Sequence, residues 1–530
     1  MSGSRMLILG LDGATWKVAD PLIEAGKLPH LAQFKKKGTW AWLNSTNPPM
    51  TLPSWSSMLT GCSPGKHGIF DFVQYENQKL KFVNSTDRAV PTIHQILSKR
   101  GGRVASLLVP TTWPPQPING VVVSGFDSPV ATDIDASFCE PPTIYTELQR
   151  RFGGVHFADL QESNIGDGWH AEALPKLLKE IERKTAMGEW LLKQERWDCF
   201  MLLFGESDTV SHHFWMFHDP ESPRYIHKPE LSKAILHVYQ RLDDAVGRLI
   251  DRAKPDWVCI CSDHGFGGAG EHVLYLNRFL EQHGWLRYGN ESSLASLRRN
   301  AARIIPHSLL GQIFRKIPGS LRDRLEARAR YGGIVFDQTR AFSDEMNYSA
   351  TIRMPNMAGF GRLRQQLLDW VVDGQHPVRN VYTREELYHG EMCYRSPEIV
   401  LELNYRDGYS YTVLSSGMVS KGEMWRKMEP FEHYGGKGLG MNGSHRQYGV
   451  LGLYGTDVQC GEITAGMEDI TPTLLHLMGE AIPSYMDGQV CAGSDQIAYS
   501  TEEDMGCDSI ELTKGEAHAL QKRLQKLGYL

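Results

Sequence analysis

The residues of this sequence best suited to chemistry are one threonine and six Asp or His residues, spread over five segments. Thr51 lies in the segment PPMTLPSW. Carboxylates and imidazoles are common ligands of divalent metal ions, and two such ions around one hydroxyl suit phosphoryl transfer. The six candidate metal ligands are Asp12 in LGLDG, Asp208 and His212 in SDTVSH, Asp263 and His264 in CSDHGF, and His445 in NGSHR.

The spacing of Asp208 and His212 predicts one metal site. Residues four apart lie about one turn apart on the same face of a helix, so both side chains can bind one ion. A third ligand must come from elsewhere in the chain, and His445 is the candidate. An Asp-x-x-x-His pair on its own is also typical of a surface pair or a helix cap.

Asp263 and His264, together with Asp12, predict a second metal site. The dipeptide follows the apolar run 256–261, where the backbone is expected to turn so that both side chains reach one ion. An Asp-His dipeptide on its own also fits an ordinary turn. The glycines expected to let the chain turn sharply here are Gly265, Gly267, Gly268 and Gly270.

Thr51 is predicted to begin a helix, with its hydroxyl as the cap and Pro53 in the first turn. Free backbone N–H groups at a helix N-terminus favour a phosphate there. Metal coordination would lower the pKa of the Thr51 hydroxyl and make it a nucleophile at neutral pH. A second metal would bind a phosphate oxygen and stabilise the charge of the transition state.

His445 lies in the glycine-rich segment GGKGLGMNGSHRQYG, which predicts a flexible loop that carries it into the site. The segment includes a Gly-x-Gly-x-x-Gly pattern, but no strand precedes it in a βαβ setting, so dinucleotide binding is not expected. Cys259 and Cys261 are expected to pack in a buried strand rather than to bind zinc.

Short apolar runs that alternate with helical patterns must position these residues. Continuous apolar runs are typical of parallel strands covered on both faces, and the alternation predicts a doubly wound α/β core. In such a core, functional residues collect beyond the carboxyl ends of the strands. The predicted strands are Met6–Leu11, Val104–Val109, Val121–Ser124, Cys199–Phe204, Trp257–Cys261 and Val450–Tyr454, and the predicted helices include Ala171–Gln194 and Lys228–Lys254.

The 530 residues are enough for a large core and a cap. We expect a catalytic α/β core at 1–277 and 346–500, a helical insertion at 278–345 and a C-terminal helix at 501–530. Residues 294–331 carry nine Lys or Arg and two acids. This stretch predicts a solvated helical flap or subunit contact, or alternatively a cap that binds an anionic substrate or lies on a membrane surface.

The composition is that of a soluble globular protein, with 41% hydrophobic and 22% charged residues. A net charge of -6 gives no sign of nucleic-acid binding. No stretch approaches the roughly 20 apolar residues of a membrane span, and no signal-peptide core is recognised. Nine cysteines without framework spacing fit reduced thiols, so a cytoplasmic location is expected. The oligomeric state is left open.

These residues, in this order, resemble the alkaline phosphatase superfamily. The pattern is similar to its type I phosphodiesterase/nucleotide pyrophosphatase branch, and within it to a group described as predicted phosphohydrolases or phosphomutases. The segment 467–490 and the final RLQKLGYL are similar too. The resemblance implies a mixed, largely parallel sheet between helices and two metal ions, usually zinc and in some branches manganese. It assigns Asp12, Thr51, Asp263 and His264 to one metal, and Asp208, His212 and His445 to the other.

Two positions depart from patterns of the superfamily. Its sulfatases carry Cys or Ser followed by x-Pro-Ser-Arg, whereas this chain has TLPSW at 51–55, so a sulfatase is not expected. Nucleotide pyrophosphatases usually carry an Asn oxyanion donor where this chain has Phe72, which counts against a nucleotide diester substrate. Lys66 and Arg446 are the candidate substrate-binding cations in its place, and His67 is a further alternative.

The sequence therefore predicts a two-metal phosphohydrolase in which Thr51 forms a phospho-threonine intermediate. The expected substrate is a small-molecule phosphate ester, a diester rather than a monoester, and the expected metal is Zn²⁺, with Mn²⁺ as the alternative. A phosphotransferase or phosphomutase would use the same residues with an acceptor hydroxyl in place of water. A catalytically inactive scaffold of the same fold is the remaining alternative, and the intact ligand set argues against it.

Overall fold

The fold is built around a nine-stranded sheet. The computed structural model describes residues 5–76, 79–125, 134–156, 165, 168–289, 333–345, 350–435, 440–494 and 496–501. The strand Met6–Leu11 lies in the middle, is buried along its whole length, and pairs in parallel with a neighbour on each side. Across the sheet the strands are, in order, Gly461–Glu462, Thr39–Asn44, Tyr448–Gly455, Trp257–Cys261, Met6–Leu11, Cys199–Phe204, Val104–Val109, Gly120–Ser124 and Cys139–Glu140.

The α/β fold predicted from the apolar runs is confirmed, and four of the predicted strands have the predicted bounds. The run predicted at Val450–Tyr454 is longer, Tyr448–Gly455, and pairs antiparallel with both of its neighbours. An antiparallel strand buried on both faces has the same apolar pattern as a parallel one, so the sequence does not reveal its direction. The sheet is therefore mixed and mostly parallel.

Helices cover both faces of this sheet because successive residues of a buried strand point to opposite sides. In the central strand, Leu7 and Leu9 join one apolar cluster, while Met6 and Ile8 join another. The helices Trp16–Glu24, Leu31–Lys37, Thr143–Phe152, Trp169–Gln194, Glu206–His218 and Ala234–Ala253 contribute to the first cluster, and Thr51–Thr60, Ile93–Lys99 and Ile470–Leu477 to the second.

A second lobe follows the turn at Asp263 and His264. The strand Gly265–Leu274 pairs with Tyr409–Val413, Trp425–Lys427 and Gly443–Arg446, and Tyr405–Arg406 extends that sheet. A further antiparallel sheet shares its own apolar cluster with the helices Leu276–Gln282 and Phe360–Leu368. The strands of that sheet are Thr351–Ile352, Val378–Thr383 and Ile399–Leu403. Short elements elsewhere in the described residues include the helices Pro64–His67 and Arg384–Leu387 and the strand pairs Val73–Glu76 with Lys79–Phe82 and Ile482–Pro483 with Tyr499–Ser500.

Two sequence predictions fall largely outside the described residues. The basic helices expected at 294–331 lie within 290–332, and most of the C-terminal helix expected at 501–530 lies beyond 501. The predicted domain boundaries at 277, 345 and 500 stay predictions. The apolar cluster of the second lobe draws residues from both sides of the expected boundary at 345, including Phe279 and Ile399.

The expectation that the glycines after His264 make a sharp turn is wrong. They belong to the strand Gly265–Leu274, and their φ values are not positive. Their small size is required instead by close packing, since a Cβ at Gly265 would lie 1.9 Å from the carbonyl oxygen of Tyr448. At Gly268 it would lie 2.7 Å from the ring of Tyr409. The glycines therefore allow strands and rings to approach closely next to the turn.

Glu345 is a buried acid within the second lobe, and it should make stability depend on pH. Its carboxylate accepts hydrogen bonds from the backbone N–H groups of Asn277 (2.8 Å) and Ser416 (2.6 Å). Burial raises the pKa of Glu345 from 4.5 to about 7. Because the folded-state pKa is the higher one, this contribution to stability is complete below pH 4.5 and is lost as the pH rises through about 7.

We expect Glu345→Gln to remove that pH dependence. The free energy of unfolding of the wild type should fall relative to the variant by about 3 kcal/mol between pH 4.5 and pH 8, the free-energy equivalent of the pKa difference. Urea denaturation at several pH values measures it. Parallel pH profiles for the two proteins would contradict a neutral Glu345 in the folded state.

Candidate metal centre

Three candidate ligands lie at the carboxyl ends of three adjacent parallel strands. Asp12 directly follows Met6–Leu11, and Asp263 lies two residues after Trp257–Cys261. Asp208 lies in the first turn of the helix Glu206–His218, which follows Cys199–Phe204. Because these strands neighbour one another and point the same way, their ends bring the three carboxylates together at one edge.

Thr51 is the first residue of the helix Thr51–Thr60 rather than its cap. The cap position is taken by Met50, which makes no side-chain bond, so the prediction of a threonine cap was wrong by one residue. The Thr51 hydroxyl is therefore not used as the helix cap. It lies 3.5 Å from His264 Nε2, in a buried position. The backbone N–H groups of Thr51 and Leu52 begin this helix and have no partner within it, whereas Pro53 has no N–H and Ser54 N donates to Met50 O.

His212 and His445 meet at Asp208. Their Nε2 atoms are 3.1 Å apart, and they lie 3.3 and 3.5 Å from Asp208 Oδ1. Each Nδ1 is 3.0 Å from a backbone carbonyl oxygen, Gly443 for His212 and Pro49 for His445. A carbonyl only accepts, so each Nδ1 carries the proton and each Nε2 presents a lone pair to the centre. These three residues can hold one metal ion.

His264 lies at the centre of a second group. Its Nε2 is 3.1 Å from Asp263 Oδ2, 3.8 Å from Asp12 Oδ1 and 3.9 Å from Asp208 Oδ1. Asp12, Asp208 and His264 offer ligand atoms within 4.8 Å of one another, so a second ion fits here. The His264 and His445 rings stack at 3.6 Å. The two predicted ligand sets therefore form one continuous cluster, with Asp208 Oδ1 within reach of both.

Unpartnered carboxylate oxygens and raised carboxyl pKa values indicate that metal ions fit this cluster. Asp12 Oδ1, Asp208 Oδ1 and Asp263 Oδ2 are buried and have no hydrogen-bond partner among the described residues. Buried carboxylate oxygens without partners are costly, and divalent cations would relieve them. Burial, then the neighbouring carboxylates, raise the pKa of Asp12 well above its ordinary value. Burial likewise raises the pKa of Asp263 to about 7. The donor set of carboxylates and imidazoles fits two divalent ions.

His445 reaches the centre from a strand, not from the flexible loop that was expected. Residues Gly443–Arg446 pair antiparallel with Gly265–Leu274, and Phe266 lies opposite His445. Gly443 packs directly on the Asp208 helix, because a Cβ there would lie 2.2 Å from the carbonyl oxygen of Ser211. Part of the preceding glycine-rich segment, 436–439, lies outside the described residues.

The two predicted substrate-binding cations are engaged with other groups. Lys66 Nζ pairs with Asp487 Oδ1 at 2.5 Å. Arg446 follows His445 in a strand, so its side chain points to the opposite face, where it donates to Gly268 O at 2.6 Å. Phe72, at the position of the expected Asn, packs against a small apolar cluster that includes Leu52. His67 is buried and bonded to Ser57.

Sequence reasoning missed several groups that hold the ligands in place. Trp55 Nε1 donates to Asp12 Oδ2 at 3.0 Å, and the carbonyl oxygen of Pro49 orients His445. Arg224 is fully buried and donates to the carbonyl oxygens of Gly270 and Met441, beside the strand that carries His445. Only the position of Trp55, four residues after Thr51, could have been noticed in the sequence.

Within the described part of the chain, no helix is both long and apolar enough to cross a membrane. The family model described as "Type I phosphodiesterase / nucleotide pyrophosphatase" matches residues 6–415, a span that ends before His445. No curated protein sequence matches the chain significantly.

Among solved structures, the chain resembles human ectonucleotide pyrophosphatase / phosphodiesterase 5, with 13% identity, a TM-score of 0.46, and coverage of 92% of this chain and 97% of that one. It also resembles phosphonoacetate hydrolase from Sinorhizobium meliloti 1021 in complex with phosphonoacetate, with 16% identity, a TM-score of 0.49, and coverage of 88% and 94%.

Proposed function

Because this chain belongs to the type I phosphodiesterase / nucleotide pyrophosphatase family of metal-dependent phosphoric ester hydrolases, we propose that it hydrolyses a small-molecule phosphodiester through a phospho-threonine intermediate on Thr51. The observation that carries the proposal is the buried cluster of three carboxylate oxygens, unpartnered among the described residues, and three imidazole Nε2 atoms. One of these, His264 Nε2, lies 3.5 Å from the Thr51 hydroxyl. We propose two divalent ions for this cluster. Zn²⁺ is favoured over Mn²⁺ because imidazole nitrogen suits zinc.

The proposed ligand sets divide the cluster between the two ions. One set comprises Asp12, Thr51, Asp263 and His264, and the other comprises Asp208, His212 and His445. The Asp208 carboxylate also lies within reach of the first set, so we propose that its charge serves both ions. When bound, the ions supply positive charge that lowers the pKa of the Thr51 hydroxyl and offsets charge on the phosphoryl oxygens.

In the proposed reaction, the Thr51 Oγ attacks phosphorus in line with the leaving alcohol. The bond from phosphorus to the leaving oxygen breaks as the Thr51 Oγ–phosphorus bond forms, and the alcohol departs with a proton. The two free N–H groups of the first turn, those of Thr51 and Leu52, are proposed to donate to a phosphoryl oxygen. They are the proposed substitute for the amide donor that Phe72 replaces. Water then attacks the phospho-threonine from the vacated side, releases the phosphate monoester and restores the hydroxyl.

The test compares two model substrates on the purified protein with Zn²⁺ or Mn²⁺. We expect turnover of bis-p-nitrophenyl phosphate to exceed that of p-nitrophenyl phosphate. Preference for the monoester would replace the diester proposal with a phosphatase or mutase. If the protein turns over neither substrate and binds no metal, the proposal is overturned in favour of an inactive scaffold.

A phosphotransferase is the second candidate, because the same residues would serve it. The two functions differ only in what attacks the phospho-threonine. Product analysis with an added alcohol such as methanol or glycerol separates them. A hydrolase should release mainly the product of attack by water, whereas a transferase should form mainly the alkyl phosphate ester.

A further inference from the structure

The indole of Trp55 contacts one carboxylate oxygen of the candidate metal centre. Its Nε1–H donates to Asp12 Oδ2 at 3.0 Å, and both side chains are almost wholly buried. The other oxygen, Asp12 Oδ1, has no hydrogen-bond partner among the described residues and lies 3.8 Å from His264 Nε2. The two oxygens of this carboxylate therefore have different surroundings, because Oδ2 is bonded to the indole and Oδ1 faces His264.

The local sequences of the helix and of the central strand both favour this contact. Trp55 comes four residues after Thr51, so the indole and the hydroxyl share one face of the helix Thr51–Thr60. Gly10 lies in the central strand two residues before Asp12, so the two residues face the same side. A Cβ at Gly10 would lie only 2.8 Å from Trp55 Cη2, so the glycine makes the space that the ring fills.

We propose that Trp55 is a positioning residue that holds Asp12 as a one-oxygen ligand and sets the affinity of the metal site that includes Thr51. With Oδ2 bonded to the indole, Oδ1 is the oxygen left for an ion. The same bond ties the helix that begins at Thr51 to the strand that ends before Asp12, so one side chain fixes the spacing of hydroxyl and carboxylate. Partners of this kind typically change metal affinity by about 10- to 100-fold when removed. The inference rests on the metal sites of the proposed function.

The test compares Trp55→Phe with a matched control, Trp16→Phe. Trp16 is also fully buried and its Nε1 also donates a hydrogen bond, at 2.8 Å, but to the carbonyl oxygen of Ala41. Trp16 belongs to the apolar cluster on the opposite face of the sheet from Trp55. Both variants lose one buried indole and its bond, and only one of them touches Asp12. Zn²⁺ affinity is measured by competition with a chelator, and the melting temperature is followed against free Zn²⁺.

We expect Trp55→Phe to weaken one of the two Zn²⁺ sites by about 10- to 100-fold and Trp16→Phe to keep wild-type affinity at both. Equal affinities in the two variants would overturn the role of Trp55 while leaving two-metal binding by the wild type intact. A wild type that binds no Zn²⁺ would overturn the proposed function and this inference together. The two failures are thus distinguishable.

Two further variants test whether Trp55 acts through Asp12 and whether its N–H is the group responsible. If Trp55 acts through Asp12, then adding Trp55→Phe to Asp12→Asn should lower Zn²⁺ affinity no further. An additional tenfold loss in the double variant would contradict action through the carboxylate. If Trp55→Phe does not fold, 3-benzothienylalanine at position 55 keeps the bicyclic shape without the N–H, and the same loss of Zn²⁺ affinity is expected. Wild-type affinity with this residue would overturn the proposal.

Discussion

Replacing Thr51 with alanine is expected to lower kcat by about a thousandfold or more, with the protein still folded and the Asp208 metal set still occupied. The hydroxyl is the proposed nucleophile, and no other group in the mechanism forms the covalent intermediate. The structural cost should be small, because Met50 rather than Thr51 occupies the cap position and alanine is a good helix former. Steady-state turnover of bis-p-nitrophenyl phosphate with saturating Zn²⁺ measures the effect.

Thr60→Ala is the matched control. Thr60 ends the same helix and is also buried, but its hydroxyl donates to the carbonyl oxygen of Ser56, so its loss should leave kcat nearly unchanged. Thr51→Ser keeps a hydroxyl and should retain turnover within about two orders of magnitude of the wild type. If Thr51→Ala kept more than a tenth of wild-type kcat, the phospho-threonine intermediate would be ruled out.

Asp208→Asn is expected to strip both metal ions from the protein. Asp208 Oδ1 lies 3.3 Å from His212 Nε2 and 3.9 Å from His264 Nε2, one ring from each candidate group. The substitution removes the negative charge shared by both groups and changes the shape of the side chain little. Metal-to-protein ratios after dialysis, measured by inductively coupled plasma mass spectrometry, should fall from about two to near zero.

Asp219→Asn serves as the control for this experiment. Asp219 follows the same helix and accepts hydrogen bonds from Trp215 Nε1 and the Tyr409 hydroxyl, outside the candidate groups. That variant should keep both ions. Retention of one ion by Asp208→Asn would show instead that Asp208 serves a single metal, which is the division that the sequence resemblance implied.

The strands of the core could be predicted because burial on both faces leaves a continuous apolar run in the sequence. Asp12 and Asp263 could be placed at one sheet edge for the same reason, and the i, i+4 spacing joined Asp208 to His212. Strand direction leaves no such trace, so the antiparallel Tyr448–Gly455 was not recognised.

The sequence misled where glycine has two meanings. Glycines usually indicate turns, but around Gly265 and Gly443 they allow a strand or a helix to approach within contact distance. His445 was therefore assigned to a loop although it lies in a strand. The bond from Trp55 to Asp12 joins a helix to the residue that follows the central strand, and only the folded chain brings the two together.

The division of the ligands between two sheets has a consequence for biosynthesis. His212 and His445 are 233 residues apart, and the strand that carries His445 pairs with the second sheet rather than the central one. A chain emerging from the ribosome exposes the carboxylates of the first half long before its last imidazole exists. Because the set of Asp208, His212 and His445 is complete only when Gly443–Arg446 docks, tight uptake of its ion should come late in assembly. A chain that lacks this strand would then exchange that ion freely, and the finished enzyme would retain the ion available when the strand docks.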